Sequence, residues 1–306
     1  MTQTGTLCMT IETVGIMTPG DMGHAIGGRL GEAGIRVVTN LDGRSERSRA
    51  LAEKAGIEDL GSDAALLTEC DAIFSIMPPD QAAGFVTRMA AAAGTLGAKP
   101  KALIADLNAV APSTARQLQA TAEAAGIGFL DGGIIGGPPY PGRPSPRVYL
   151  SGPGADAFTA LSPALDIHLL GENIGAASAL KMCFATLTKG VQALAIQSFV
   201  TAELEGVGPA FRAELEGAQA NLLRSLTGSL PGMPPKAYRW VGEMEEIAKT
   251  YGDAGLTPKT FEGAADVYRF VESTPLGKEV VENRTMGTDL DDLVTRLADA
   301  LRERRS

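Results

Sequence analysis

Histidine occurs only twice in this chain of 306 residues, cysteine three times and tryptophan once. Cys8, Cys70 and Cys183 are widely separated and none stands in a C-x-x-C pair. That argues against a disulfide framework and a thiolate metal site, and for a reducing compartment. Long apolar runs are missing as well, since no segment reaches the roughly 18 uninterrupted apolar residues of a membrane span. Met1 to Thr10 has neither the basic start nor the continuous apolar stretch of a signal peptide. Positive charge clusters only at Arg302, Arg304 and Arg305, in a chain of net charge -9, so nucleic acid is not the expected partner. No fixed-period repeat or low-complexity tract is found, apart from the Pro-rich loop "GGPPYPGRPSPR" at 136–147. The expectation is a soluble cytoplasmic protein without a membrane, nucleic-acid or metal site.

What is there points to two domains. Hydrophobic residues make up 44% of the chain, enough to bury the cores of two domains of ordinary size. Strand-like runs at 11–17, 36–41, 72–77, 102–106, 128–131 and 147–151 alternate with helical stretches, such as 22–32 and 46–55. Such alternation predicts an α/β domain with a doubly wound, mainly parallel sheet of the Rossmann type. Beyond residue 168 the pattern becomes helical: a long Ala-rich helix over 171–204, then helices with Pro/Gly breaks at 228–235 and 252–258. The predicted organisation is a nucleotide-binding domain at 1–168 and an all-α domain at 169–306, joined by the long helix.

The segment "TVGIMTPGDMGHAIGGRL" at 13–30 supplies a strand, a turn of small residues and a helix. Gly20 and Gly23 fit the second and third glycines of G-x-G-x-x-G, while Thr18 occupies the first position. Pro19, which fixes its own φ, can set a tight turn without that glycine. A pyrophosphate would rest on the helix N-terminus formed by Thr18, Pro19, Gly20, Asp21, Met22 and Gly23. The next strand ends in "TNLDGRSERSR". There Arg44 and Ser45, with Arg47 and Arg49 nearby, suit a ribose 2'-phosphate and hence NADP, while Asp42 leaves NAD open. Met77, Pro78 and Pro79, and then Asp106, Leu107 and Asn108, fall at two further strand ends, where α/β sheets bind ligands.

Hydride transfer to or from an alcohol needs a proton carrier. His24 in the fingerprint helix and His168 in "DIHLLG" both read as structural. On the long helix, spacings of three and four place Ala177, Ser178, Lys181, Ala185, Thr188 and Gln192 on one face, with bulky Leu180, Met182, Leu187 and Leu194 beside them. A lysine in such a stripe can act as a buried base. Burial and an oxidised nicotinamide would lower its pKa from ~10.4. The alternative is a stem that snorkels to solvent.

Taken together, these residues resemble the β-hydroxyacid dehydrogenase superfamily, which includes 6-phosphogluconate dehydrogenase and has the imine reductases as close relatives. The resemblance runs through the fingerprint at 15–23, "GRS" at 43–45, "MPP" at 77–79, "DLNAVAP" at 106–112, "DGGIIGG" at 131–137 and "GAASALKMCFA" at 175–185. "AYRWVGEMEEIAKT" at 237–250 is similar to a phosphogluconate-dehydrogenase-like subgroup. The resemblance implies that Lys181 is the catalytic lysine and that the backbone of Gly136 and Gly137 meets the substrate carboxylate. It also implies a homodimer formed through the helical domain. The chain departs from the pattern where Ile135 replaces a serine, Ala185 replaces an asparagine, and Glu243 and Met244 stand near the place of a Lys-Asp pair. Asn108, Thr188, Arg143, Arg147 and the patch of Tyr238, Arg239, Trp240, Glu243 and Glu246 are candidate substitutes for the lost substrate contacts. The expected reaction is hydride transfer between NADP and a small β-hydroxy acid. Glu243 and Glu246 offer a cationic iminium a place and so keep imine reduction open, and a non-catalytic NADP sensor is a third reading.

Overall fold

The computed structural model describes residues 11–140 and 142–305, so Cys8 lies outside the described residues. The chain divides into two compact units, Met1–Met182 and Cys183–Ser306. The first contains β1 (Thr13–Met17), β2 (Arg36–Thr39), β3 (Glu58–Asp59), β4 (Ala72–Ser75), β5 (Leu103–Asp106), β6 (Gly128–Ile135), β7 (Arg147–Ser151) and β8 (Asp166–Leu169). They form one sheet in the order β3-β2-β1-β4-β5-β6-β7-β8, parallel except where β6 meets β7.

Helices α1 (Asp21–Glu32), α2 (Glu46–Lys54), α3 (Asp63–Glu69), α4 (Pro79–Ala93) and α5 (Pro112–Ala124) cover the sheet. Strand side chains alternate between its faces. Val14, Ile16 and Phe74 therefore join Ile26 and Leu30 of α1 in one core, while Met17 and Ile73 join Leu66, Phe85 and Leu118 in the other. With a hydrophobic layer on each face, the strands read as nearly continuous apolar runs.

The strand predicted over 128–131 continues to Ile135, because Gly132 and Gly133 extend it rather than end it. A Cβ on Gly132 would lie 2.4 Å from the Leu107 side chain, and one on Gly133 would lie 3.1 Å from Lys181 Cβ. Both are places of close approach, a recognised use of glycine inside a strand. The edge strands β3, of two residues, and β8, in the run "DIHL", are not among the strands the sequence predicts.

The long helix also differs from its prediction. Gly171 and Gly175 have φ of +81° and +102°, conformations suited to glycine, and α6 (Ala176–Ala185) starts only after them. A π-helical turn at Thr186–Gly190 then separates it from α7 (Val191–Leu204). The two units divide inside this helix, between Met182 and Cys183, because α6 is tied to β6. The composition change at 168/169 had suggested an earlier division. The second unit continues with α8 (Gly208–Ala218), α9 (Ala220–Ser229), α10 (Ala237–Asp253), α11 (Lys259–Ser273), α12 (Pro275–Lys278) and α13 (Leu290–Arg305). Among the described residues no helix is long and apolar enough to cross a membrane.

Candidate active site

β1 delivers the chain to the turn at Thr18. The Thr18 N–H donates to Ile76 O at 3.1 Å and the Gly20 N–H to Thr18 O at 2.8 Å. Gly20 is the N-cap of α1, and no side chain caps the helix, which leaves its first turn suited to an anion. A Cβ on Gly20 would meet nothing within 4 Å, so the approach is open, whereas one on Gly23 would sit 2.1 Å from Thr18 O. Thr18 Oγ1 is buried without a partner among the described residues. Asp21 would repel a pyrophosphate, but Arg47 pairs with it at 2.5 Å. Arg47 thus reaches the fingerprint helix. His24 is buried, with Nδ1 2.7 Å from Gly20 O. Thr18, Pro19, Gly20, Asp21, Met22 and Gly23 together fit a dinucleotide.

At the end of β2 stands Asn40, uncharged and buried, whose amide donates to Asp63 at 2.8 Å and whose oxygen accepts from Asp42 N–H at 3.0 Å. Arg88 binds the other Asp63 oxygen at 2.5 Å. Arg44 is half-buried; burial, and then the charge of Arg88, hold its guanidinium below its ordinary pKa. Arg44 and Arg88 share this corner with Asp63, and Asp59 stands at the same strand end, accepting from Leu41 N–H at 3.0 Å. Ser45 is the N-cap of α2, accepting from Ser48 N–H at 3.2 Å, and Arg49 donates to Leu41 O at 2.6 Å.

Beyond β4, Pro78 and Pro79 start α4 as N-cap and first residue. The Met77 N–H donates to Asn108 Oδ1 at 2.6 Å, and the Asn108 amide donates to Ser75 Oγ at 2.7 Å and Asp106 Oδ1 at 2.5 Å. Asn108 is therefore a fully engaged brace between two strand ends.

β6 meets a lysine from α6. Lys181 is half-buried and its Nζ donates to Ile134 O at 2.5 Å. Ile134 is one residue from the carboxyl end of β6, and β6 runs parallel to β5, so the ammonium lies at the sheet edge that also carries the fingerprint turn. Gly136 has φ of +132° and a Cβ there would lie 3.0 Å from Pro146 Cα, while Gly137 faces open space. Arg143 and Arg147 are exposed. The Tyr140 ring lies 5.8 Å from that of His24, which brings the Pro-rich loop to the fingerprint helix.

In the second unit the sequence-based face breaks down. The π turn shifts the helical period, and the Thr188 hydroxyl donates back to Phe184 O at 3.1 Å. Trp240 and Glu243 are buried and turn to Lys189, which sequence reasoning missed. Glu243 forms an ion pair with Lys189, whose Nζ is 5.1 Å from the Trp240 ring centre. Tyr268 OH donates to Lys189 O at 2.6 Å and packs edge-on against Trp240. Burial lowers the Lys189 pKa, opposed by the charge of Glu243. No spacing rule links Lys189 to α10, so only the fold shows this cluster. Among the described residues no group of acidic, histidine and cysteine side chains could hold a metal ion.

The model of the NAD-binding domain of 6-phosphogluconate dehydrogenase matches residues 13–173, and a domain of unknown function, DUF1932, matches 202–271. The structure resembles Mycobacterium tuberculosis 3-hydroxyisobutyrate dehydrogenase solved with L-serine, at 20% identity and a TM-score of 0.65, over 97% of this chain and 100% of that one. It also resembles the conserved protein MTH1747, described as structurally similar to 3-hydroxyacid dehydrogenases, at 25% identity and TM-score 0.62 over 85% and 96% of the chains. A reductive aminase from Aspergillus terreus in complex with NADPH aligns at 19% identity and TM-score 0.53 over 89% and 98%. The chain therefore belongs to the family of the 6-phosphogluconate dehydrogenase NAD-binding domain, within the β-hydroxyacid dehydrogenase superfamily, and is an NAD(P)-dependent dehydrogenase.

Proposed function

We propose that this dehydrogenase uses NADP to move a hydride between the nicotinamide and the hydroxyl-bearing carbon of a small 3-hydroxy acid, with Lys181 as general acid and base. The observation that carries this reading is the Lys181 ammonium at the carboxyl edge of β6, hydrogen-bonded to Ile134 O, in the same unit as the fingerprint turn. The bound cofactor supplies the hydride acceptor. Lys181 takes the hydroxyl proton during oxidation in its neutral form and returns it during reduction as an ammonium. The backbone of Gly136 and Gly137 receives the substrate carboxylate, and Arg143 or Arg147 can add a charged contact.

The preference for NADP rests on the end of β2. A carboxylate there would hold a free ribose hydroxyl, but the buried residue is Asn40 and it is bonded to Asp63. Arg44 and Arg88 gather positive charge beside it, as a 2'-phosphate requires. A homodimer through the helical unit is part of the proposal. Leu187 and Leu194 are 75% and 53% exposed and Phe184 is exposed as well, all within the helical unit, and a second subunit would cover them. Imine reduction is the second reading, because Glu243, one of the two carboxylates that could have held an iminium, is paired with Lys189.

A panel of 3-hydroxy acids and cyclic imines, assayed in both directions with NADP and NAD couples, tests the reading. The expected result is reduction of NADP+ by one or more 3-hydroxy acids, with NAD+ at least tenfold poorer in kcat/KM. Turnover of cyclic imines alone, or a preference for NAD, would overturn it.

A further inference from the structure

Ser75, Asp106, Asp131 and Ser151 stand in register across β4, β5, β6 and β7, and all four are completely buried. Residues in register on neighbouring strands point to the same face. A polar row thus crosses a sheet otherwise filled by aliphatic and aromatic side chains. Burying such groups costs stability unless each is bonded, and the bonds reveal what the row holds.

Asp131 accepts four hydrogen bonds: from Ser151 Oγ at 2.9 Å, Gly175 N–H at 2.9 Å, Ser178 N–H at 3.1 Å and Ser178 Oγ at 2.5 Å. Three of the donors belong to the start of α6. An ordinary helix cap comes from the residue just before the helix, but this one comes from a strand more than 40 residues away. Four donors and the helix dipole favour the charged carboxylate, against the upward push of burial on its pKa. Asp106 has fewer donors. Its Oδ1 accepts from Asn108, and its Oδ2 is buried without a partner among the described residues. Burial pushes its pKa up to about 7, opposed by hydrogen bonds from Ser75 and Asn108 and helped by the charge of Asp131. The hydrogen bonds of the row thus favour the charged form of Asp131 more strongly than that of Asp106.

We infer that Asp131 is a positioning residue for Lys181: its carboxylate fixes the first turn of α6 to β6, the strand whose Ile134 carbonyl holds the Lys181 ammonium. Ser178 and Lys181 are three residues apart and share a helix face. Gly133 lies between the two anchors, where a Cβ would come within 3.1 Å of Lys181 Cβ and 3.4 Å of Ala177 O. Strand and helix are clamped above and below the point of closest approach, which sets the ammonium at the sheet edge. This assignment rests on the acid–base role proposed for Lys181.

Two variants test it: Asp131→Asn, which keeps the shape but loses the charge, and Ser178→Ala, which removes one bond at little risk to folding. With NADP+ and the best 3-hydroxy acid, kcat should fall tenfold or more in Asp131→Asn and severalfold in Ser178→Ala, while the NADPH dissociation constant stays within twofold. In a Lys181→Met background, neither substitution should slow residual turnover further, because groups acting as a unit are not additive. A merely structural role would lower turnover by the same factor in both backgrounds, and that result would overturn the assignment. The Lys181 ammonium signal in NMR spectra of the NADP-bound protein, identified by its loss in Lys181→Met, gives a readout independent of turnover. It should broaden or vanish in both variants; an unchanged signal would count against Asp131 even if no substrate were turned over, an outcome that would count against the hydride-transfer reading instead.

Discussion

A carboxyl group with no hydrogen-bond donor at one oxygen, sealed inside a sheet, is the least expected residue of this molecule. For Asp106 the rise from the usual 3.8 to about 7 means that the folded protein keeps a proton which the unfolded chain has released between about pH 4 and pH 7. Stability must then fall as pH rises through that window and level off above it. Melting curves from pH 5 to pH 8 should show the melting temperature dropping by several degrees in the native protein. In Asp106→Asn, which has no proton to lose, that part of the slope should be absent; an identical slope in the variant would place the titration elsewhere. That Lys181 lies on a helix and shares a face with Ser178 was legible from its spacing, whereas its bond to Ile134 O was not, because that partner comes from a distant strand. Asn108 was legible only as a strand-end residue; its use as a brace to Met77, Ser75 and Asp106 depends on neighbours from another strand, which spacing along one chain does not contain.

At the scale of elements, local signals were sufficient where the local chain decides the outcome. β7 was predicted at 147–151 and is Arg147–Ser151, and the fingerprint turn was predicted from its small residues and its flanking strand and helix. Gly23 is the element's fixed point, since a Cβ there would fall 2.1 Å from Thr18 O, a backbone atom that cannot give way cheaply. Gly23→Ala should therefore open the turn and raise the NADPH dissociation constant at least tenfold, measured by nucleotide fluorescence; unaltered binding would contradict the placement of the dinucleotide on α1. The long helix was legible as a helix, but its π turn at Thr186–Gly190 was not. Extrapolating the α-helical period from Lys181 to Thr188 runs into that turn, which alters the period, and the Thr188 hydroxyl bonds back to Phe184 O. The Lys189–Glu243 pair in turn connects α10 to the residues of this π turn, a tertiary contact with no periodic signature.

For the whole molecule, the order of the sheet and the family match agree with an NAD(P)-dependent dehydrogenase whose first unit carries both the dinucleotide turn and the lysine. The helical unit has its own centre in Trp240, Glu243, Tyr268 and Lys189, so Trp240 and Glu243 take part in internal packing and charge pairing. The alternation of strands and helices made the two-part architecture readable, because burial on both faces of a parallel sheet imposes it. The division within α6 was not readable, because it is set by the bonds of Asp131 and the close approach at Gly133. The most direct test of the account is the turnover of Lys181→Met with NADP+ and a 3-hydroxy acid, measured beside its NADPH dissociation constant. The account predicts nucleotide binding within twofold of the native protein and kcat reduced by roughly 10²–10⁴; native turnover in that variant would contradict it.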